Sequence, residues 1–211
     1  MEQKIQLNKT FRYYRHGNKE TAENLWIVLH GYGQLASFFI KKFEGLDPTK
    51  NFIIAPEGMH RFYLKGTSGR VGASWMTKEA RMDDISDNLH FLDQLFIKET
   101  ASTSFKNKIL LGFSQGGATA ARWHAKGKMN ASHFMLWASV FPPDLSFDLE
   151  TASFNDSKNI FLVGNNDPYY KKEKLSEEQQ LLSKLNFETQ VFEGEHSISS
   201  TVIDNVYRTF I

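Results

Sequence analysis

Three residue types that together can transfer an acyl group occur in this 211-residue chain in a suggestive order: Ser114, then Asp167, then His196. A serine hydroxyl in water is a poor nucleophile. It needs a base to take its proton and a carboxylate to orient that base. Ser114 lies in Gly112-Phe113-Ser114-Gln115-Gly116, which fits G-x-S-x-G. That pattern marks a tight strand-to-helix turn that lifts the hydroxyl above a sheet. Side chains two positions either side of the serine would collide across such a turn, so glycines flank it. The serine itself is expected in a strained backbone conformation. The competing explanation is a glycine-rich turn whose serine only caps the helix. An apolar run ending at Gly112, followed by the small residues Gly117, Ala118, Ala120 and Ala121, favours the nucleophile turn.

After this turn, the acid follows the serine and the histidine follows the acid. Of the seven histidines, His16, His30, His60 and His90 come before Ser114. His124 falls on the helix after the turn, where it is expected to face solvent, and His133 opens a strand. His196 alone sits on a loop between the last strand pattern and the last helix pattern, just after Gly194. Asp167 follows the apolar run Asn159 to Gly164, at a strand's carboxyl end, with Pro168 fixing the turn. Asn-Asp-Pro is also an ordinary turn signature, but the other carboxylates are worse placed. Asp144 and Asp148 lie on the preceding loop, Asp156 before the strand, and Asp204 beyond the histidine. An oxyanion needs two backbone N–H donors. The expected pair is Gln115, next to the serine, and Tyr32 in His30-Gly31-Tyr32-Gly33, with His30 anchoring that loop.

Strands buried on both faces must position these groups, and the chain supplies them. Apolar residues run consecutively at Asn24 to His30, Asn51 to Ala55, Lys108 to Gly112, Phe134 to Ala138 and Asn159 to Val163. Such runs suit a parallel sheet covered on both sides. Between them, Met82, Ile85, Leu89, Leu92 and Phe96 fall at helical spacing, as do Val202, Ile203, Val206, Tyr207 and Phe210. Alternating strands and helices imply βα crossovers, with the site beyond the carboxyl ends of the strands. Lys4 to Tyr14 suits two short antiparallel edge strands, and residues 57–74 read as a long loop walling the pocket. Trp75 is expected in that wall, whereas Trp26, Trp123 and Trp137 belong to the core. Asp83, Asp84 and Asp87 read as the wet face of their helix rather than a metal cluster. Lys171, Lys172 and Lys174 beside Glu173, Glu177 and Glu178 read as an exposed, salt-laced helix.

Composition narrows the classes further. The chain is 41% hydrophobic and 23% charged, with a formal net charge of +1 and no cysteine. Its length suits one domain over 1–211. The charge balance offers no basic face for nucleic acid. Disulfides, thiol catalysis and cysteine-held zinc are excluded. No dinucleotide or H-E-x-x-H pattern occurs, so neither cofactor nor metal is expected. Without a leader-like apolar stretch or a membrane-length run, the expected address is the cytoplasm.

Leu29 to Gln34, Gly112 to Gly117, Gly164 with Asp167, and Gly194 with His196 together resemble the phospholipase/carboxylesterase family of small bacterial carboxylesterases and acyl-protein thioesterases. The resemblance runs from about Asn24 to the end of the chain. It implies an α/β-hydrolase fold without a large lid, acting on small-molecule carboxylic esters. Ala73 to Met76 corresponds loosely to the segment where that family sets a Trp near the site. The loop before Trp75, and Phe141-Pro142-Pro143, depart from the long-acyl thioesterases and leave the substrate open. Phe141 is a second expected pocket residue. Three functions therefore compete: an esterase for small or medium acyl groups, an acyl thioesterase, and a binding module that retains the fold. A second copy of the chain is a compatible partner.

Overall fold

A computed structural model of the protein describes residues 1–145 and 151–211. Asp148, one of the competing acids, lies outside the described residues. The elements in chain order are β1 (Tyr13–His16), β2 (Asn24–Leu29), α1 (Ala36–Phe39) with a 3-10 turn (Ile40–Phe43), β3 (Asn51–Pro56), β4 (His60–Tyr63) and β5 (Val71–Ser74). Then follow α2 (Arg81–Thr100), β6 (Asn107–Phe113), α3 (Gln115–Lys126), β7 (His133–Trp137) and α4 (Ala152–Asn155). The chain closes with β8 (Lys158–Gly164), α5 (Lys172–Ser183), β9 (Phe187–Phe192) and α6 (Ser200–Phe210).

Seven strands form one sheet in the order β1-β3-β2-β6-β7-β8-β9. Only β1 runs antiparallel, pairing Tyr13 with Pro56 through His16 with Ile53. All other neighbours are parallel. The consecutive apolar runs are explained by burial on both faces. Leu25, Ile27, Leu29, Leu110, Phe134 and Phe161 point to a layer containing Leu92, Trp123 and Leu182. The alternate residues Trp26, Val28, Ile109, Leu111, Met135 and Ile160 point to the opposite layer, with Phe39, Phe43, Ile203, Val206 and Phe210. Each such side chain contributes roughly 1.5–3 kcal/mol on burial. Two layers of core hold the strand ends, and the loops that leave them, in fixed register.

The N-terminal expectation is corrected. Only Tyr13–His16 forms a strand, and residues 1–10 are exposed without regular structure. The sheet offers one free edge there, β3, and four residues of β1 occupy it. Residues 57–74 are not one long loop. β4 and β5 pair as an antiparallel hairpin, His60 with Ser74 through Tyr63 with Val71. Gly66 and Gly69, at φ +58° and +88°, supply left-handed positions in its connection. The hairpin is anchored at its base, where His60 Nε2 lies 2.9 Å from Asp84 Oδ1. Asp84 is therefore buried rather than wet, while Met82, on the apolar face by its spacing, is exposed.

Glu178 likewise does not belong to a fully solvated helix. It is buried, its Oε1 accepts the Phe141 N–H at 2.7 Å, and burial raises its carboxyl above the usual range.

His124 is buried, not solvent-facing. Its ring stacks on Phe134 at 5.1 Å and meets Phe154 edge-on at 4.7 Å. Burial lowers its pKa from 6.5 to about 4. The unfolded chain therefore binds this proton first as pH falls. The stability linked to neutral His124 is complete above pH 6.5 and drains away toward pH 4. At pH 5 the loss amounts to about 2 kcal/mol. Urea unfolding at pH 7.5 and pH 5 should show a His124→Phe variant losing less stability on acidification than the parent by about that amount. Equal losses would mean the imidazole is already charged in the fold.

Candidate active site

β6 stops at Phe113 because the chain reverses at Ser114, whose backbone sits at φ 52°, ψ −124°. A non-glycine residue at positive φ stores strain that its surroundings must hold in place. Here the Ser114 N–H donates to Trp137 O at 2.9 Å and the Ser114 carbonyl accepts from Gly117 N–H at 2.9 Å. The flanking glycines are required by close approach. A Cβ on Gly112 would lie 2.5 Å from Gly117 Cα, and one on Gly116 would lie 2.4 Å from His30 O and 2.5 Å from Leu29 O. The second clash is with the end of β2, not with Gly112 across the turn. The glycine thus brings the Ser114 turn and the His30–Gly33 loop together.

His196 comes from the loop between β9 and α6, and Asp167 from the turn after β8. The two strands are adjacent and parallel in register, Asn159 with Phe187 through Gly164 with Phe192, so their carboxyl ends deliver both residues to one edge. His196 Nε2 lies 3.0 Å from Ser114 Oγ, and His196 Nδ1 lies 2.7 Å from Asp167 Oδ2. A carboxylate only accepts, so Nδ1 carries the proton and Nε2 is free to accept from the serine hydroxyl. Asp167 is 4% exposed, and its other oxygen accepts the Tyr169 N–H at 2.9 Å. The imidazole is held between two aromatic rings, Phe113 at 5.0 Å and Tyr169 at 4.6 Å. Tyr169 carries no motif and the sequence reading missed it.

His30 is buried and neutral, burial having lowered its pKa. Its Nδ1–H donates to Gly31 O at 2.8 Å while Nε2 accepts the Gly58 N–H at 3.0 Å. The loop is fixed further by Gly33 N–H to Ala73 O, 2.8 Å, and by Gly31 N–H to Gln34 Oε1, 2.9 Å. The Tyr32 N–H pairs with no other group among the described residues. The Gln115 N–H opens α3, where no intrahelical acceptor exists. The Gln115 side chain is occupied elsewhere: its amide nitrogen donates to Met76 O at 2.8 Å and its oxygen accepts the Trp75 N–H at 3.0 Å.

Gly31, Tyr32, Ser114, Gln115, Tyr169 and His196 share one open cleft of about 430 Å³. Trp75 does not line it, which corrects the sequence expectation. Its side chain is fully buried, with the indole N–H donating to His30 O at 2.8 Å, so it supports the loop from beneath. Phe141 is 2% exposed and lines a neighbouring cavity rather than the cleft itself. Among the described residues no group of three or more His, Asp or Glu side chains is arranged to hold a metal, and no helix is long and apolar enough to cross a membrane.

A mainly parallel sheet with a serine turn after a central strand defines the α/β-hydrolase fold, here without a large lid among the described residues. The family model described as Phospholipase/Carboxylesterase matches residues 16–211, and the chain belongs to that family. Its membership supports a hydrolase acting on ester-type bonds. Among solved structures, the protein is similar to a carboxylesterase from Mesorhizobium loti, with TM-score 0.73, 13% identity, and 94% and 95% of the two chains covered. It is also similar to Zea mays acyl-protein thioesterase 2, with TM-score 0.69, 17% identity, and coverage of 93% and 96%. Esterase PE8 gives TM-score 0.68 at 17% identity, with 96% and 100% covered. At such identities the likeness is one of fold. No curated protein matches the chain by sequence.

Proposed function

We propose that this protein is a serine hydrolase that cleaves carboxylic esters of small to medium acyl groups through an acyl-enzyme. Ser114 is the nucleophile, His196 the general base and acid, and Asp167 the carboxylate that orients it. The observation that carries the reading is the unbroken hydrogen-bond chain Asp167–His196–Ser114, with links of 2.7 and 3.0 Å. Ser114 Oγ adds to the ester carbonyl as its proton passes to His196 Nε2, and Asp167 stabilises the imidazolium. The carbonyl oxygen, now an anion, takes hydrogen bonds from the N–H groups of Tyr32 and Gln115. The tetrahedral adduct collapses, the C–O bond breaks, and His196 returns the proton to the departing alcohol. Water then repeats the sequence and releases the acid.

Thioesters are the second reading, favoured by the fold likeness to the maize thioesterase. One oxyanion hole serves both bonds. A fluorophosphonate probe followed by peptide mapping tests the proposal. Label is expected on the Ser114 peptide and is expected to vanish in Ser114→Ala. An unlabelled native protein would favour a binding module instead. The ratio of oxyester to thioester turnover over a chain-length series separates the two hydrolase readings.

A further inference from the structure

A second cavity of about 430 Å³ opens beside the Ser114 cleft, and the two share Gln115, Ala118 and Val140 as a common wall. Its lining is amphipathic. Met76, Val140 and Phe141 supply an apolar stretch, while Lys78, Arg81 and Arg122 bring three cations to the same space.

Among the described residues, one carboxylate answers those cations. Arg122, 2% exposed along its side chain, donates Nε–H to Asp144 Oδ2 at 2.8 Å and a second bond from Nη2 to Oδ1. Arg122 holds the Asp144 carboxyl below the usual range. Arg81 reaches the same carboxylate only at 3.4 Å, with its side chain 45% exposed. Lys78 pairs with no carboxylate among the described residues. Among the described residues, the Arg122–Asp144 pair thus forms a nearly neutral floor, and no second carboxylate pairs with the heads of Lys78 and Arg81. Arg122 lies about two helical turns beyond Ser114 on α3, about 12 Å along the axis between backbone positions.

We propose that this cavity is an anion-accepting subsite, so that the preferred substrates are esters with a carboxylate or phosphate a few carbons from the cleaved bond. The proposal rests on the hydrolase reading above and names its substrate class. The apolar stretch covers the stem, and Lys78 and Arg81 take the anion. Guanidinium and ammonium groups bind such termini by charge-assisted hydrogen bonds. Lys174, which lines the Ser114 cleft, is a rival cation.

The test uses isosteric pairs on the full chain. Monomethyl adipate against methyl hexanoate sets the anion on the acyl arm, and 4-acetoxybutanoate against butyl acetate sets it on the alcohol arm. At least one anionic member is expected to exceed its neutral isostere about tenfold in kcat/KM. That ratio should shrink at high salt. It should fall to within about twofold in Lys78→Ala/Arg81→Ala, or by part of that in either single variant if the double variant fails to fold, and should persist in Lys174→Ala. Equal rates within both pairs, or an advantage that follows Lys174 instead, would overturn the subsite. Calorimetric titration of the Ser114→Ala protein with monomethyl adipate and with 4-acetoxybutanoate separates the two readings. Binding that depends on Lys78 and Arg81, in a native protein that hydrolyses neither pair, would keep the subsite and sink the hydrolase reading. Neither binding nor hydrolysis would remove both.

Discussion

Ser114→Ala is expected to lower the turnover of a simple ester by about 10⁶-fold, with His196→Ala equal to it and Asp167→Asn costing about 10⁴-fold. These magnitudes follow from the division of labour. Without the hydroxyl no acyl-enzyme forms, and without the imidazole the hydroxyl keeps its proton. Losing the carboxylate leaves both in place but removes the acceptor 2.7 Å from Nδ1 that fixes the tautomer. Because the three groups act as one unit, the double variant Ser114→Ala/His196→Ala should be no slower than either single one. On the proposed mechanism, residual catalysis from the Tyr32 and Gln115 donors should set the floor. In Ser114→Ala the melting temperature should move by no more than about 2 °C, since among the described residues Ser114 Oγ bonds to His196 alone. Steady-state kinetics and a thermal melt on the same preparations check both parts. A His196→Ala protein with full turnover would require another base. The described residues offer no ready substitute, because His30 is buried with both ring nitrogens engaged and His124 is buried among Phe134 and Phe154.

What was legible in the sequence had a short-range signature. The consecutive apolar runs gave the parallel strands because burial on both faces removes the alternation of a half-buried strand. The turn at Ser114 was legible because its steric demands fall on fixed neighbours. Chain order then brought His196 and Asp167 together, since β8 and β9 are adjacent and deliver their carboxyl ends to the same edge.

The failures were tertiary in origin. The β4–β5 hairpin reads as a loop in the sequence because its strands are only four residues long and glycine interrupts the second. His124 and Glu178 carry polar side chains on helices, so local pattern assigned them to water. The packing of α3 under α4, and of Glu178 against the Phe141 N–H, overrode it. Trp75 falls in the segment where the family sets a Trp near the site, yet here it lies beneath the His30 loop. Met76 and Arg81 are distant in sequence from Arg122 and meet it around one cavity through contacts that no periodicity encodes.

Gly116→Ala should couple stability and turnover at one atom. The added methyl would stand 2.4 Å from His30 O and 2.5 Å from Leu29 O, both backbone atoms at the carboxyl end of a fully buried strand. Neither neighbour is the far end of a flexible side chain, so relief requires moving α3 or the His30–Gly33 loop. Overpacking of this kind costs about 3 kcal/mol. In a chain of this length that lowers the melting temperature by about 6–12 °C. Movement of the loop also displaces the Tyr32 N–H from the Ser114 hydroxyl, and a shift of about 1 Å at such a site costs on the order of 100-fold in turnover. Gly45→Ala is the matched control, its Cβ meeting nothing nearer than Asp204 Oδ1 at 3.8 Å. It should change stability by less than about 0.5 kcal/mol and leave turnover intact. A Gly116→Ala protein as stable and as active as the parent would show that the turn and the loop do not depend on that approach, and steric contact would then no longer explain the glycine two residues after the serine.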